Sequence, residues 1–161
     1  MPATEQQLLM GEKVFHTICN MLNGINYHYD TDRRDEDYRI IFTVNGDDIP
    51  MKIYMIVRPA RDVVSLLSSM PFQAPEDKRM EMAMAVAVAN YGLIEGTFDF
   101  DINDGEIRYR QTNSYHESLL SEALFEKMLN IALYWIDRYN DRFMMLEKGM
   151  MTLQQFIDAE N

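Results

Sequence analysis

Residues 80–110, MEMAMAVAVANYGLIEGTFDFDINDGEIRYR, decide the fold. Met80 to Ala89 is apolar except for Glu81, the composition of a helix covered on most sides. Beyond Asn90-Tyr91-Gly92 the period changes to two. Phe98, Phe100 and Ile102 alternate with Thr97, Asp99 and Asp101, the chain turns at Asn103-Asp104-Gly105, and Ile107 and Tyr109 return. That is the pattern of a β-hairpin. A buried helix feeding a hairpin is therefore the expected centre of the protein.

Working outward, the upstream chain supplies more strands. Tyr38, Ile40, Phe42 and Val44 alternate with Arg39, Ile41 and Thr43, and Asn45-Gly46 signals a hairpin. The return puts Met51, Ile53, Met55 and Val57 on one face and Lys52, Tyr54, Ile56 and Arg58 on the other. Val63 to Leu67 reads as a third strand, and Tyr27 to Tyr29 as a possible strand start. Asp30 to Asp37, charged with both signs, reads as a solvated turn, and Met70 to Pro75 as a breaker-rich connection ahead of the central helix.

Helices bracket the strands. Thr4 and Gln7 form a capping-box pattern before an amphipathic helix from about Glu5 to Leu22, ended by Asn23-Gly24. Ser121 caps a long helix whose apolar stripe includes Phe125, Met128, Leu129, Ala132, Trp135, Ile136 and Tyr139; it runs to Lys148, with Gly149 as its stop. Thr152 and Gln155 repeat the capping box before a short terminal helix within about 152–160. The expectation is a single α+β domain over 1–161: a two-layer α-β(3)-α-β(2)-α arrangement, its antiparallel sheet covered on one face by helices.

Composition narrows the function classes. In 161 residues, 47% are hydrophobic and 25% charged, the balance of a folded domain. The net charge of −11, from 26 acids against 15 bases, repels phosphate backbones, so no nucleic-acid partner is expected. Cys19 is the sole cysteine, which excludes an intrachain disulfide and suits a reducing compartment. The N-terminus lacks a leader pattern, and the longest near-apolar run, Met80 to Ile94, is too short to span a bilayer. The expected location is cytoplasmic, without membrane contact. Fourteen methionines fill core gaps or serve an adaptable surface.

In sequence order, residues 86–91 (VAVANY), 96–101 (GTFDFD) and 104–110 (DGEIRYR), with the Ser-capped helix that follows, resemble the YbjN domain family of bacterial sensory transduction regulators, whose fold is that of type III secretion chaperones. The resemblance implies a dimer that binds polypeptides rather than catalysing a reaction, and it brings no catalytic residues.

Aligning Asp99, Asp101 and Asn103 as calcium ligands puts Asp104 where the loop needs glycine and Arg110 where it needs a bidentate glutamate, so the hairpin reading is preferred. His16 and Cys19 share a helix face, but His28 and His116 lie in no ligand-like spacing, and zinc needs three or four ligands. Arg33 and Arg34 interrupt the Asp30–Asp37 carboxylates. No glycine-rich phosphate loop, G-x-S-x-G elbow or H-E-x-x-H helix occurs. The expectation is a non-enzyme with no cofactor, no metal and no catalytic residue. The alternative is a metal- or small-ligand-binding protein or enzyme using the acidic segments 30–37 or 99–104. The positive feature is the second sheet face, where Ile41, Tyr54 and Ile56 are rimmed by Arg39, Lys52, Arg108 and Arg110. Ile41, Tyr54, Ile56, Arg108 and Arg110 are the candidate protein-binding or dimer residues, set against an ordinary solvent face.

Overall fold

The computed structural model describes residues 1–118 and 120–161. Helix α1 (Glu5–Gly24) begins at Thr4, whose hydroxyl accepts from the Gln7 amide at 3.2 Å while Gln7 Oε1 accepts from the Thr4 amide at 3.0 Å, completing the capping box. Four strands follow: β1 (Asp30–Arg34), β2 (Asp37–Asn45), β3 (Pro50–Arg58) and β4 (Val63–Gln73). Helix α2 (Arg79–Tyr91), the hairpin β5 (Thr97–Phe100) and β6 (Glu106–Ser114), then α3 (Glu122–Glu147) and α4 (Leu153–Asp158) complete the chain. The strands form one antiparallel sheet in the order β1-β2-β3-β4-β6-β5. The α+β class and the order of helices and hairpins are those expected, with one strand more.

That strand is β1. The charged segment is not only a solvated turn: Asp30 to Arg34 pairs with Ile41 to Asp37, and Asp35-Glu36 make the reversal, with Asp35 at φ 56°. The strand itself begins at Asp30, after the 27–29 segment that suggested its start. All five of its residues are exposed, so pairing rather than burial makes it a strand. The 70–73 segment is also a strand rather than a connection: β4 continues through Pro71 and Phe72 to Gln73. Its register shifts between Ser69 and Gln73, an irregularity that accommodates a proline lacking an N–H.

One sheet face builds the core. Ile40, Phe42, Met51, Ile53, Met55, Val57, Val64, Leu66, Phe98, Ile107 and Tyr109 are buried there, as the alternation anticipates. Against them α3 packs Phe125, Leu129, Ile136, Tyr139 and Phe143. Phe98 meets Tyr109, Tyr139 and Phe143 edge-on at centroid distances of 5.3–5.5 Å, the preferred geometry for aromatic pairs.

Asn90 ties α2 to the hairpin. Its Oδ1 accepts from the Phe98 amide at 2.7 Å and its Nδ2 donates to the Phe98 carbonyl at 2.9 Å, completing the free edge of β5 as a neighbouring strand would. At the hairpin tip Asp101 accepts from the Asn103 amide and Asp104 from the Glu106 amide, each at 2.8 Å, and Gly105 adopts φ +83° against the Ala74 carbonyl, where a side chain does not fit. Contrary to the expectation of a helix covered on most sides, α2 buries one stripe (Met82, Ala85, Val86, Ala89) and leaves Met80, Met84, Ala87 and Tyr91 exposed.

Candidate functional site: the open sheet face

Helices cover one face of the sheet and, among the described residues, the other is bare. Register fixes what lies across it: Ile41 pairs with Tyr54, Tyr54 with Leu67, Leu67 with Arg110 and Arg110 with Thr97. One row over, Arg39, Ile56, Ser65 and Thr112 are neighbours on β2, β3, β4 and β6. The structure thus brings Ile41, Tyr54 and Ile56 together on the adjacent strands β2 and β3, with Arg110 and Arg108 on the same surface but on β6, beyond β4. Ile41, Tyr54, Ile56 and Leu67 are half-buried by their neighbours. The Tyr54 ring sits between two cations, with the Arg39 guanidinium 5.7 Å and the Lys52 ammonium 5.4 Å from its centroid.

The arginines are not a free basic rim. Asp99, opposite Arg108 in the hairpin register, accepts from Arg110 Nε at 2.8 Å and Nη2 at 2.9 Å through its two oxygens, and from Arg108 Nη2 at 3.0 Å. Burial works against the Asp99 charge, but the Arg110 and Arg108 hydrogen bonds outweigh it and hold the carboxyl below its ordinary range. The fork-on-fork geometry is specific to guanidinium. An acidic partner across β5 is visible in the alternation of Asp99 with Phe98 and Phe100; that it would be shared by two arginines is not.

The acidic segments are engaged within the fold. Asp32 lies 3.4 Å from Arg39, Asp37 lies 3.7 Å from Arg58, and the Arg33 guanidinium caps the Tyr38 ring at 4.4 Å. Asp101 and Asp104 serve the turn. His16 is exposed beside Glu12 while Cys19 is buried, its thiol pushed up by burial against a hydrogen bond with Tyr29, so the two do not present one face to a ligand. His116 instead meets Asp62: Nδ1 lies 2.9 Å from Oδ2, which also accepts from Gln7 Nε2 at 3.1 Å. Asp62 is held below its ordinary value chiefly by the His116 hydrogen bond, and His116 is raised by the same contact.

A second surface escaped the sequence reading. A groove of about 690 Å³ runs between the α2–β5 connection and α3, lined by Ile94, Ile131, Tyr134 and Trp135. Ile94 is 97% and Tyr91 96% exposed, and Met80 and Met84 extend the apolar surface along α2. The methionine richness and the break at Asn90-Tyr91-Gly92 were the available signals, but an apolar helix is equally the signature of a buried one.

The family model described as "Putative bacterial sensory transduction regulator", YbjN, matches residues 16–145. The chain belongs to the YbjN family. The family region takes in all six strands, α2 and most of α1 and α3, so the open face and the Asp99 clamp lie inside it and α4 outside. Among solved structures, the HopA1–SchA chaperone–effector complex contains a chain with the same fold: TM-score 0.58 at 13% identity, over 87% of this chain and 99% of that one. The crystal structure of YbjN, a putative transcription regulator from E. coli, matches with TM-score 0.54 at 10% identity, over 84% of this chain and 90% of that one. No curated protein matches the sequence. Among the described residues, no helix is long and apolar enough to cross a membrane.

Proposed function

We propose that this YbjN-family chain is a non-enzymatic, cytoplasmic regulatory protein that acts as a homodimer and holds a polypeptide partner against its open sheet face. The observation that carries the reading is the uncovered row Ile41, Tyr54 and Leu67 with Ile56 beside it, apolar side chains in register on adjacent strands of a sheet whose other face is fully used. Apolar surface gathered on a sheet suits contact with protein, and the surrounding Arg39, Lys52, Arg108 and Arg110 give it a polar rim. The neighbouring fold in a chaperone–effector complex supports a polypeptide as the partner class. The engagement of Asp99 by two arginines, and of Asp101 and Asp104 by the turn, favours this reading over a metal- or substrate-binding role for the acidic segments.

The test is the mass in solution of the wild type and of the Ile41→Thr/Tyr54→Thr/Ile56→Thr variant, in which all three positions carry a β-branched residue suited to a strand. The expected result is twice 18.9 kDa for the wild type and a shift toward 18.9 kDa, or loss of a co-purifying polypeptide, in a variant with unchanged circular dichroism. A variant that keeps both its mass and its bound polypeptide removes the sheet face from the proposal.

A further inference from the structure

Within this acidic chain, one part of the open face is basic. A pocket of about 700 Å³ lies along β4, with Val63, Ser65 and Leu67 as its floor. Arg58 and Arg61, from the end of β3 and the single helical turn after it, wall one side; Arg108 and Arg110 on β6 wall the other. Four guanidiniums thus face one lining carboxylate, Asp37, in a protein of net charge −11. The size is that of a small-molecule site.

The donors there are under-used. Among the described residues Arg61 makes no ion pair, and Arg58 reaches Asp37 only at 3.7 Å. Arg110 spends Nε and Nη2 on Asp99, leaving Nη1 free. Arg108 spends Nη2, and its buried Nε has no acceptor. A buried N–H without a partner costs free energy, and the guanidiniums that stay partly or fully exposed to an incoming oxygen are those of Arg58, Arg61 and Arg110. Ser65 and Thr112 add a hydroxyl pair, 2.9 Å apart, between the two arginine walls.

We infer that this pocket binds a small phosphorylated molecule, its phosphoryl oxygens held by the arginines and its uncharged part resting on Val63 and Leu67. Guanidinium forks match phosphoryl geometry and bind it bidentately. A nucleic-acid backbone carries the same group but must cross the surrounding acidic surface, which repels it, whereas a small ligand keeps its charge inside the pocket. The inference goes beyond polypeptide binding and does not depend on it, although the two share Leu67, Arg108 and Arg110.

The experiment is isothermal titration of the full chain at low salt with ADP, inorganic pyrophosphate, adenosine and a single-stranded DNA oligomer. ADP and pyrophosphate are expected to bind saturably at one site per chain, and adenosine and DNA not to bind. Arg61→Glu reverses charge at an exposed, unpaired position and is expected to weaken ADP by at least about tenfold, with Arg61→Ala intermediate. Lys127→Glu, on the helical side, is expected to leave the affinity unchanged. Absence of a saturable signal from both phosphates, equal affinity in Arg61→Glu, or adenosine or DNA binding as tightly as ADP would overturn the assignment. The mass of each sample, measured alongside, reports separately on the polypeptide-binding reading.

Discussion

Asp99 shows how one residue sets the character of a surface. Without it Arg108 and Arg110 would be two like charges side by side on β6; with it they share one carboxylate that ties the edge strand β5 to β6. Because the folded carboxyl titrates below its ordinary value, ionised Asp99 stabilises the fold at pH values above the ordinary carboxylate range, and that contribution fades as pH falls through the lower folded value. Asp99→Asn keeps the shape but removes the charge. Its urea midpoint is expected below wild type at neutral pH, and the gap is expected to narrow as the pH drops below the carboxylate range. A gap that stays constant on acidification would show that Asp99 acts through packing and not through its charge. The sequence displayed these residues as an alternation of acids and arginines around a turn; it did not show which oxygen meets which nitrogen, because that follows from the β5–β6 register.

At the scale of elements, legibility followed burial. β2, β3 and the hairpin could be read from alternation because each buries one face. β1 could not: Asp30-Thr31-Asp32-Arg33-Arg34 is exposed throughout, and a strand that buries nothing leaves no hydrophobic period. The second half of β4 was hidden by Pro71, which an irregular register tolerates. The mixed exposure of α2 was hidden because Met80 and Met84 look the same in sequence whether or not a neighbour covers them. The terminal helix, by contrast, is announced by its capping box, where the Thr152 hydroxyl accepts from the Gln155 amide at 3.1 Å. What six residues of helix contribute is Phe156, fully buried and stacked on Phe143 at 5.6 Å, with Glu160 just beyond receiving Tyr139 Oη at 2.7 Å and the Arg142 guanidinium. Phe156→Ala should therefore cost about 3 kcal/mol, the lower end for a buried phenylalanine, because a cavity here lies near a chain end that can partly collapse. Chemical denaturation would measure it; a loss under about 1 kcal/mol would mean that α4 is not part of the cooperative core.

At the scale of the whole molecule, the net charge of −11 sets a condition on self-association. Two identical acidic chains repel, so a dimer must gain more from apolar contact than it loses to like charge. The proposed face is suited to this through its apolar residues Ile41, Tyr54, Ile56 and Leu67, whose contact does not depend on charge; in its rim Arg39 pairs with Asp32, and Arg108 and Arg110 share Asp99. Salt then distinguishes the forces. Screening shortens the reach of the repulsion to about 8 Å at physiological ionic strength but leaves apolar burial intact, so raising the salt should tighten the dimer. Light scattering across a dilution series is expected to show a larger dimeric fraction at high than at low salt. The arginine pocket should respond in the opposite sense, its hold on ADP weakening as salt competes for the guanidiniums. A dimer that dissociates on adding salt would place complementary charges at its interface, and would count against a contact held by Ile41, Tyr54 and Ile56 through apolar burial alone.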